Sequence, residues 1–293
     1  MRTISIIGPG RMGGALTIAL SRAGFLLETI VFGSRKPAAL LAEVNGDPVL
    51  VPSEGVTRID SDAVLITVPD TEISSVADLA AGWLGGDSVL LHTSGALASE
   101  VLVPAREKGI PVGSMHPLIS VSDPTAGSES FNGAYFCVEG MPAAVNCATV
   151  IARSLGGIPF TVETDQKPLY HAAAVLASGH LTALFQIAVM ALARCGMDEA
   201  EAREALLPLA KSVLANLERQ EPSAALTGPF ARTDIDAIGW HLDAFDRARL
   251  PGVKRTYLEL GLASLDLAEQ SGGDPEKIAA IRDLIMLALA ASR

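Results

Sequence analysis

Short apolar runs alternate with stretches of helical period through the first half of the chain. Residues 4–7 read as a strand that ends in glycine. Residues 11–23 carry Met12, Ala15, Leu16, Ala19 and Leu20 on one stripe, which predicts a helix. Strands are predicted at 29–32, 63–68, 88–91 and 111–114, with helices at 38–44, 74–83 and 98–108 between or after them. Two more strands, 135–138 and 160–162, flank a helix at 142–155. Such alternation implies an α/β fold, a doubly wound parallel sheet covered by helices on both faces.

The pattern changes near residues 163–167, and no strand is predicted afterwards. Ala- and Leu-rich helical segments run 168–194, 198–220, 234–248, 252–271 and 275–291. They are separated by Gly196, Pro222, Gly228-Pro229, Pro251-Gly252 and Gly272-Gly273. Two domains are expected: 1–165, built on the sheet, and 166–293, all helical. From Pro168 to Ala193 there is no charged residue, a run long enough to span a bilayer. It is interrupted by His171, Ser178, His180, Thr182 and Gln186, and flanked only by Lys167 and Arg194. No membrane association is therefore expected, but a central helix buried in a soluble fold. Because this run is apolar on nearly all sides, it also predicts a homodimer formed through the helical domain.

Composition narrows the function classes. The chain is 49% hydrophobic and 19% charged, as soluble globular proteins are. A formal net charge of -11 argues against nucleic acid as a partner. Cys137, Cys147 and Cys195 form no CxxC pair, which argues against a disulfide framework or zinc, and buried reduced thiols are expected. No HxxxH, HExxH or carboxylate cluster is present, so no metal is expected. The first strand begins at once, with no signal-peptide pattern before it, and a cytoplasmic location is expected.

Gly8-Pro9-Gly10-Arg11-Met12-Gly13 matches GxGxxG between the first strand and the first helix, the context that gives this motif its meaning. Gly8 permits the tight turn, Gly10 lets a pyrophosphate approach, and Gly13 lets the helix pack on the strand. The N–H groups of Arg11 and Met12 then face the phosphates with the helix dipole behind them. This is the signature of a Rossmann dinucleotide site. Ser34, Arg35 and Lys36 stand where an NAD site carries an acid for the ribose hydroxyl. A hydroxyl and two cations suit a 2′-phosphate, so NADP(H) is the expected cofactor. Val68 and Pro69 end the next long strand and are placed to line the ribose side.

Polar groups at the ends of later strands mark a candidate reaction centre. Ser94 and Gly95 follow one strand and His116 the next. Ser94 either binds substrate through its hydroxyl, helped by the Gly95 N–H, or simply makes the turn. His116 either donates to a carbonyl or carboxylate or holds its loop, while His92 reads as structural. Lys167, His171 and Ser178, spaced by four and seven, share one helical face. Their alternatives are a solvent-facing lysine and a packing histidine. Arg232 is a candidate for an anionic substrate, beside Asp234 as a helix cap, or else part of an intersubunit ion pair.

The motifs GPGRMGGAL, FGSRK, ITVPD and HTSGAL resemble the 6-phosphogluconate dehydrogenase-like superfamily. This group includes β-hydroxyacid dehydrogenases, pyrroline-5-carboxylate reductase, ketopantoate reductase and deazaflavin-dependent NADP oxidoreductases. With MHPLISVSD, KPLYHAAAVLASGH and LTGPFARTDIDAIGWHL, the whole chain is similar to Rossmann-like proteins that carry a C-terminal helical domain of unknown function 2520. The resemblance implies an NADP(H)-dependent oxidoreductase that moves a hydride between nicotinamide and a small carbonyl or imine substrate. It also implies that Lys167, at the start of the long helix, donates the proton, with His171 sharing or taking that task. Two alternatives stay open: deazaflavin-linked NADP reduction, which FGSRK resembles, and a non-catalytic NADP(H) sensor. Gly179 departs from the amide the resemblance leads one to expect after Ser178.

Overall fold

The computed structural model describes residues 2–85 and 87–291. Eight strands among them form one sheet: β1 (Thr3–Ile7), β2 (Leu26–Phe32), β3 (Val49–Pro52), β4 (Ala63–Ile66), β5 (Val89–His92), β6 (Val112–Pro117), β7 (Tyr135–Gly140) and β8 (Ile158–Thr161). Their order across the sheet is β3-β2-β1-β4-β5-β6-β7-β8. The first six strands run parallel, so the ends of β1, β4, β5 and β6 lie side by side on one edge. That edge is where a fold of this type presents its ligand-binding loops.

The sheet departs from the all-parallel expectation at β7, which runs antiparallel to β6, with β8 parallel to β7. An antiparallel neighbour needs no crossover helix. The backbones meet closely where the pairing begins: Gly140 sits at φ 131°, and a Cβ there would lie 2.5 Å from the Gly113 Cα.

Alternating side chains feed two cores. Ile4, Ile6, Ala63 and Leu65 join Leu16 and Leu20 of helix α1 (Arg11–Arg22) on one face. Ile7, Val64 and Ile66 join Ile73 and Ala77 of α2 (Asp70–Trp83) on the other. Ala105 of α3 (Val103–Arg106) belongs to the α2 side. Beyond α4 (Pro124–Gly127), Ala148 and Ile151 of α5 (Pro142–Ser154) extend the α1 side. The strand at 49–52 has no counterpart in the sequence pattern, because a four-residue edge strand is too short to show a period. The helix expected over 98–108 is instead a 3₁₀ turn followed by α3, with Pro104 in the first helical turn, where proline is tolerated.

The chain divides into two compact units, Met1–Ser178 and Gly179–Arg293. This division falls later than the 165/166 boundary drawn where the strands stop. The reason is local: α6 (Lys167–Val175) begins by burying Lys167 against β5 and β6. A π-turn at Leu176–His180 follows, then α7 (Leu181–Ala193). The second unit continues with α8 (Glu199–Leu217), α9 (Pro222–Ala225), α10 (Ile235–Arg247), α11 (Pro251–Gln270) and α12 (Pro275–Ala291). Its core gathers Phe230, Ile238, Leu242, Leu258, Leu265, Ile281 and Ile285.

The burial expected for the apolar 168–193 run is not met within one chain. Leu169 is 69% and Leu176 64% exposed, and Leu181, Leu184 and Met190 are exposed as well. By length and composition the helical stretch Thr164–Ala193 could cross a membrane, and only 6% of its most apolar window is buried in the chain itself. Cys137 and Cys147 are buried as expected, whereas Cys195, past the end of α7, is exposed.

Candidate active site

The glycine loop has the shape its spacing predicts. Gly8 adopts φ 91°, and a Cβ there would lie 2.5 Å from the Val68 Cγ1. A side chain at Gly13 would overlap the Thr67 Oγ1 and the Gly8 carbonyl oxygen. Thr67 Oγ1 ties the two strand ends together by donating to the carbonyls of Gly8 (2.7 Å) and Ile7 (3.1 Å). At Gly10, by contrast, a Cβ would meet nothing within 4 Å. The α1 N-terminus that follows has no side-chain cap and no acid in its first turn. A cradle that is closed behind and open in front, with N–H groups at Arg11 and Met12 that have no partner among the described residues, fits a pyrophosphate. Ser34, Arg35 and Lys36 are exposed in the bend after β2, and neither cation has an ion-pair partner among the described residues. Val68 is half-buried and Pro69 exposed at the end of the neighbouring strand.

Two strands further along the same edge, side chains replace backbone. Lys167 is 0% exposed, and its Nζ donates to the Ser114 Oγ (2.6 Å) and to the Ser94 carbonyl (3.3 Å). Ser114 Oγ in turn donates to Glu139 Oε2 at 3.3 Å. Glu139, 6% exposed, also accepts from the Ser99 amide (2.9 Å), the Ser99 hydroxyl (2.6 Å) and the Thr164 hydroxyl (3.2 Å). Burial pushes the Glu139 carboxyl up, but the Ser99 hydrogen bonds and the Lys167 ammonium outweigh it and hold it below the usual carboxylate range. Burial lowers the pKa of Lys167, against the opposing pull of Cys137 and Glu139. Every buried side-chain polar atom among the described residues has a partner, as a charged network in a low-dielectric interior requires.

Ser94 is fully engaged. Its hydroxyl donates to Asp70 Oδ2 (2.8 Å) and accepts from the amides of Ala96 (3.2 Å) and Leu97 (3.0 Å). Its geometry is thus that of a turn, and it presents the Gly95 backbone rather than its own oxygen. His92 holds the same turn: its Nδ1 accepts from the Ser94 amide (3.2 Å), so its Nε2–H donates to the Ala98 carbonyl (3.2 Å). Burial, reinforced by the Lys167 charge, drives the His92 pKa down to about 3.

Gly95 is where the imidazoles meet. A Cβ there would lie 2.6 Å from His171 Cδ2, 2.8 Å from His116 Cε1 and 2.9 Å from His116 Nε2, so glycine lets both rings close on the turn as they stand. The two rings stand edge to face, 5.8 Å apart. His116 Nδ1 lies 2.7 Å from the Tyr170 hydroxyl. Burial, then the charges of His171 and Lys167, bring the His116 pKa down to about 4. Lys167 and His171 therefore reach the same few residues, as their shared face predicts. Ser178 does not join them: it lies in the π-turn, exposed, its hydroxyl donating to the Ala174 carbonyl (2.7 Å). A π-turn winds more residues into each turn, so the regular count of helical faces fails there. Arg232 belongs to the helical unit, exposed in the turn before α10, where Asp234 caps the helix by accepting from the Ala237 amide (3.1 Å).

Six residues of this cluster escaped sequence reasoning: Asp70, Ser99, Ser114, Glu139, Thr164 and Tyr170. Glu139 carried a usable signal, since a single carboxylate inside the apolar strand FCVEG is unusual unless it is paired.

Residues 2–117 match the Rossmann-like domain, and residues 134–264 match a domain of unknown function, DUF2520. No curated protein matches the chain. Among solved structures, a Bacteroides fragilis protein described as an NADP oxidoreductase superposes with a TM-score of 0.73 at 20% identity, covering 90% of this chain and 98% of its own. The Thermotoga maritima protein TM1727 gives 0.71 at 27% identity, covering 92% and 99%. An imine reductase from Pseudomonas sp. gives 0.59 at 18% identity, covering 97% and 99%. Together the two matches span most of the chain, a Rossmann-like domain followed by a match to DUF2520.

Proposed function

We propose that this chain is an NADP(H)-dependent oxidoreductase that transfers a hydride between nicotinamide and a small carbonyl or imine substrate. The observation that carries this reading is the fully buried, charge-balanced Lys167 beside the Gly95–His116–His171 edge, on the same sheet edge as the glycine loop. The description of the Bacteroides fragilis neighbour as an NADP oxidoreductase supports it. Gly8, Gly10, Arg11, Met12 and Gly13 would hold the pyrophosphate, Ser34, Arg35 and Lys36 the 2′-phosphate, and Val68 and Pro69 the ribose side. The bound cofactor supplies or accepts the hydride. The proton falls to the chain, to Lys167 or His171. Burial lowers the Lys167 pKa and so eases proton release from its ammonium, which favours it as an acid. The exposed apolar surface of α6 and α7 supports a homodimer through these helices, which light scattering tests.

The direct experiment is a pair of fluorescence titrations. NADPH binds more tightly than NADH, and Arg35→Ala weakens NADPH by about tenfold to a hundredfold while leaving NADH nearly unchanged, because charge-assisted hydrogen bonds are lost. Equal affinities for the two cofactors on the unmodified protein overturn the NADP(H) assignment.

A further inference from the structure

We infer that the substrate is a carbonyl compound rather than an imine, its oxygen accepting a hydrogen bond from the Nε2–H of His116, a tautomer that Tyr170 fixes. This deepens the hydride-transfer reading and rests on it.

The tautomer follows from the Tyr170–His116 contact. The phenol ring is held edge-on by His116 (centroids 5.6 Å apart) and by Phe160 (5.8 Å). Its hydroxyl has one partner among the described residues, His116 Nδ1, at 2.7 Å. A phenol is the stronger donor and an imidazole nitrogen the stronger acceptor, so the proton of this bond sits on the tyrosine. Burial keeps that phenol protonated. His116 Nδ1 is therefore an acceptor, and the ring's own proton is on Nε2.

The substrate class follows from what is left unsatisfied. The Nε2 edge of His116 lies beside Gly95, and Nε2 has no hydrogen-bond partner among the described residues. The Gly95 amide, although buried, has none either. Lys167 has a third N–H beyond the two used by Ser94 and Ser114. The carboxylate oxygens that meet this network are engaged: both Glu139 oxygens by Ser99, Ser114 and Thr164, and Asp70 Oδ2 by Ser94, while Asp70 Oδ1 belongs to an exposed residue. A site with spare donors and engaged carboxylates suits an oxygen that accepts. A protonated imine is itself a donor and a cation, and would meet donors and the Lys167 charge. Reduction adds a hydride from the reduced cofactor to the carbonyl carbon. The C=O π pair moves to oxygen, and oxygen takes a proton from Lys167 or His171, leaving an alcohol and oxidised cofactor. His116 keeps its proton, and its bond to oxygen strengthens as negative charge develops there.

The test uses the full chain with ¹⁵N-labelled histidine, recording two-bond ¹⁵N–¹H correlations at neutral pH, with His116 assigned by loss of its signals in His116→Gln. A neutral Nε2–H ring is expected for His116, moving towards Nδ1–H in Tyr170→Phe. An Nδ1–H ring or an imidazolium in the unmodified protein overturns the proposal. In parallel, NADPH consumption is followed with simple ketones, 2-oxo acids and the cyclic imine 1-pyrroline. Carbonyls are expected to give a kcat/KM at least about tenfold above the imine. His116→Ala is expected to lower kcat by about 10²–10³-fold, and His116→Gln, which keeps an N–H donor, to recover part of that loss. Faster turnover of the imine overturns the carbonyl assignment alone. Consumption with neither class overturns the hydride-transfer reading and the carbonyl assignment together.

Discussion

Two regions on one sheet edge are built on opposite principles. At the end of β1 the site is backbone: glycines, unpaired amides and open space before Gly10. At the ends of β5 and β6 it is side chain: a lysine, a glutamate, two histidines and a tyrosine, all but His171 locked by hydrogen bonds. The first needs little from the rest of the fold, since a strand, a turn and a helix suffice. The second exists only because the chain returns twice, as β7 and as α6, to bring Glu139 and Lys167 against the same turn. A local device can hold a cofactor common to many proteins, whereas an assembled one can be particular to a reaction.

The largest effect should separate the two regions functionally. Lys167→Ala is expected to slow turnover by about 10²–10⁴-fold while NADPH affinity stays nearly constant, because Lys167 lies away from the glycine loop. His171→Ala costs less if it only tunes the lysine, and as much if it is the acid. Steady-state kinetics with an NADPH titration make the comparison, and full activity in both variants breaks it.

Next comes stability. Glu139→Leu leaves Ser99, Ser114 and Thr164 without their buried acceptor and the Lys167 ammonium without the carboxylate that balances it through Ser114, and urea unfolding should show a loss of about 1–3 kcal/mol. Adding Lys167→Met removes the orphaned charge and should restore part of the loss. An unchanged midpoint for Glu139→Leu means that the network holds nothing together.

A third pair of changes sharpens the contrast within the backbone region itself. Gly10→Ala meets open space, so it should keep its thermal midpoint and lose about tenfold in NADPH affinity as the methyl obstructs the phosphate approach. Gly13→Ala collides with Thr67 and Gly8, and should lower the midpoint itself. Reversal of these two outcomes would mean that the loop's closed and open sides have been exchanged.

The last effect, and the most gradual, is in the pH dependence of stability. His92 and His116 fall from 6.5 to about 3 and about 4 on folding. Depressed values mean that the unfolded chain binds protons first. Their contribution is therefore complete above pH 6.5 and is lost as the pH falls towards those values. The slope is at most about 1.4 kcal/mol per pH unit for each ring. His92→Gln keeps both hydrogen-bonding roles without titrating, and should flatten the curve between pH 6 and 4. Glu139, held below the usual carboxylate range, loses its contribution only at lower pH.

Some of this was legible in advance. The alternation of strands and helices, the glycine loop and the helical second half all depend on short-range pattern, and the structure has them. The antiparallel β7 was not legible, because an apolar strand reads the same in either direction. The exposure of α6 and α7 was not legible either, since an apolar run records only that a helix seeks cover, not whether its own chain supplies it.

By itself the sequence determined the order of elements and the cofactor loop, because each is set by residues a few positions apart acting through backbone geometry. Only the tertiary structure decided the reaction centre. Ser94 meets Lys167 across 73 positions, His116 meets Tyr170 across 54, and Ser99 meets Glu139 across 40. No periodicity encodes such distances. They are set by the order in which the sheet places its strands, and by the need of every buried charge in it for a partner.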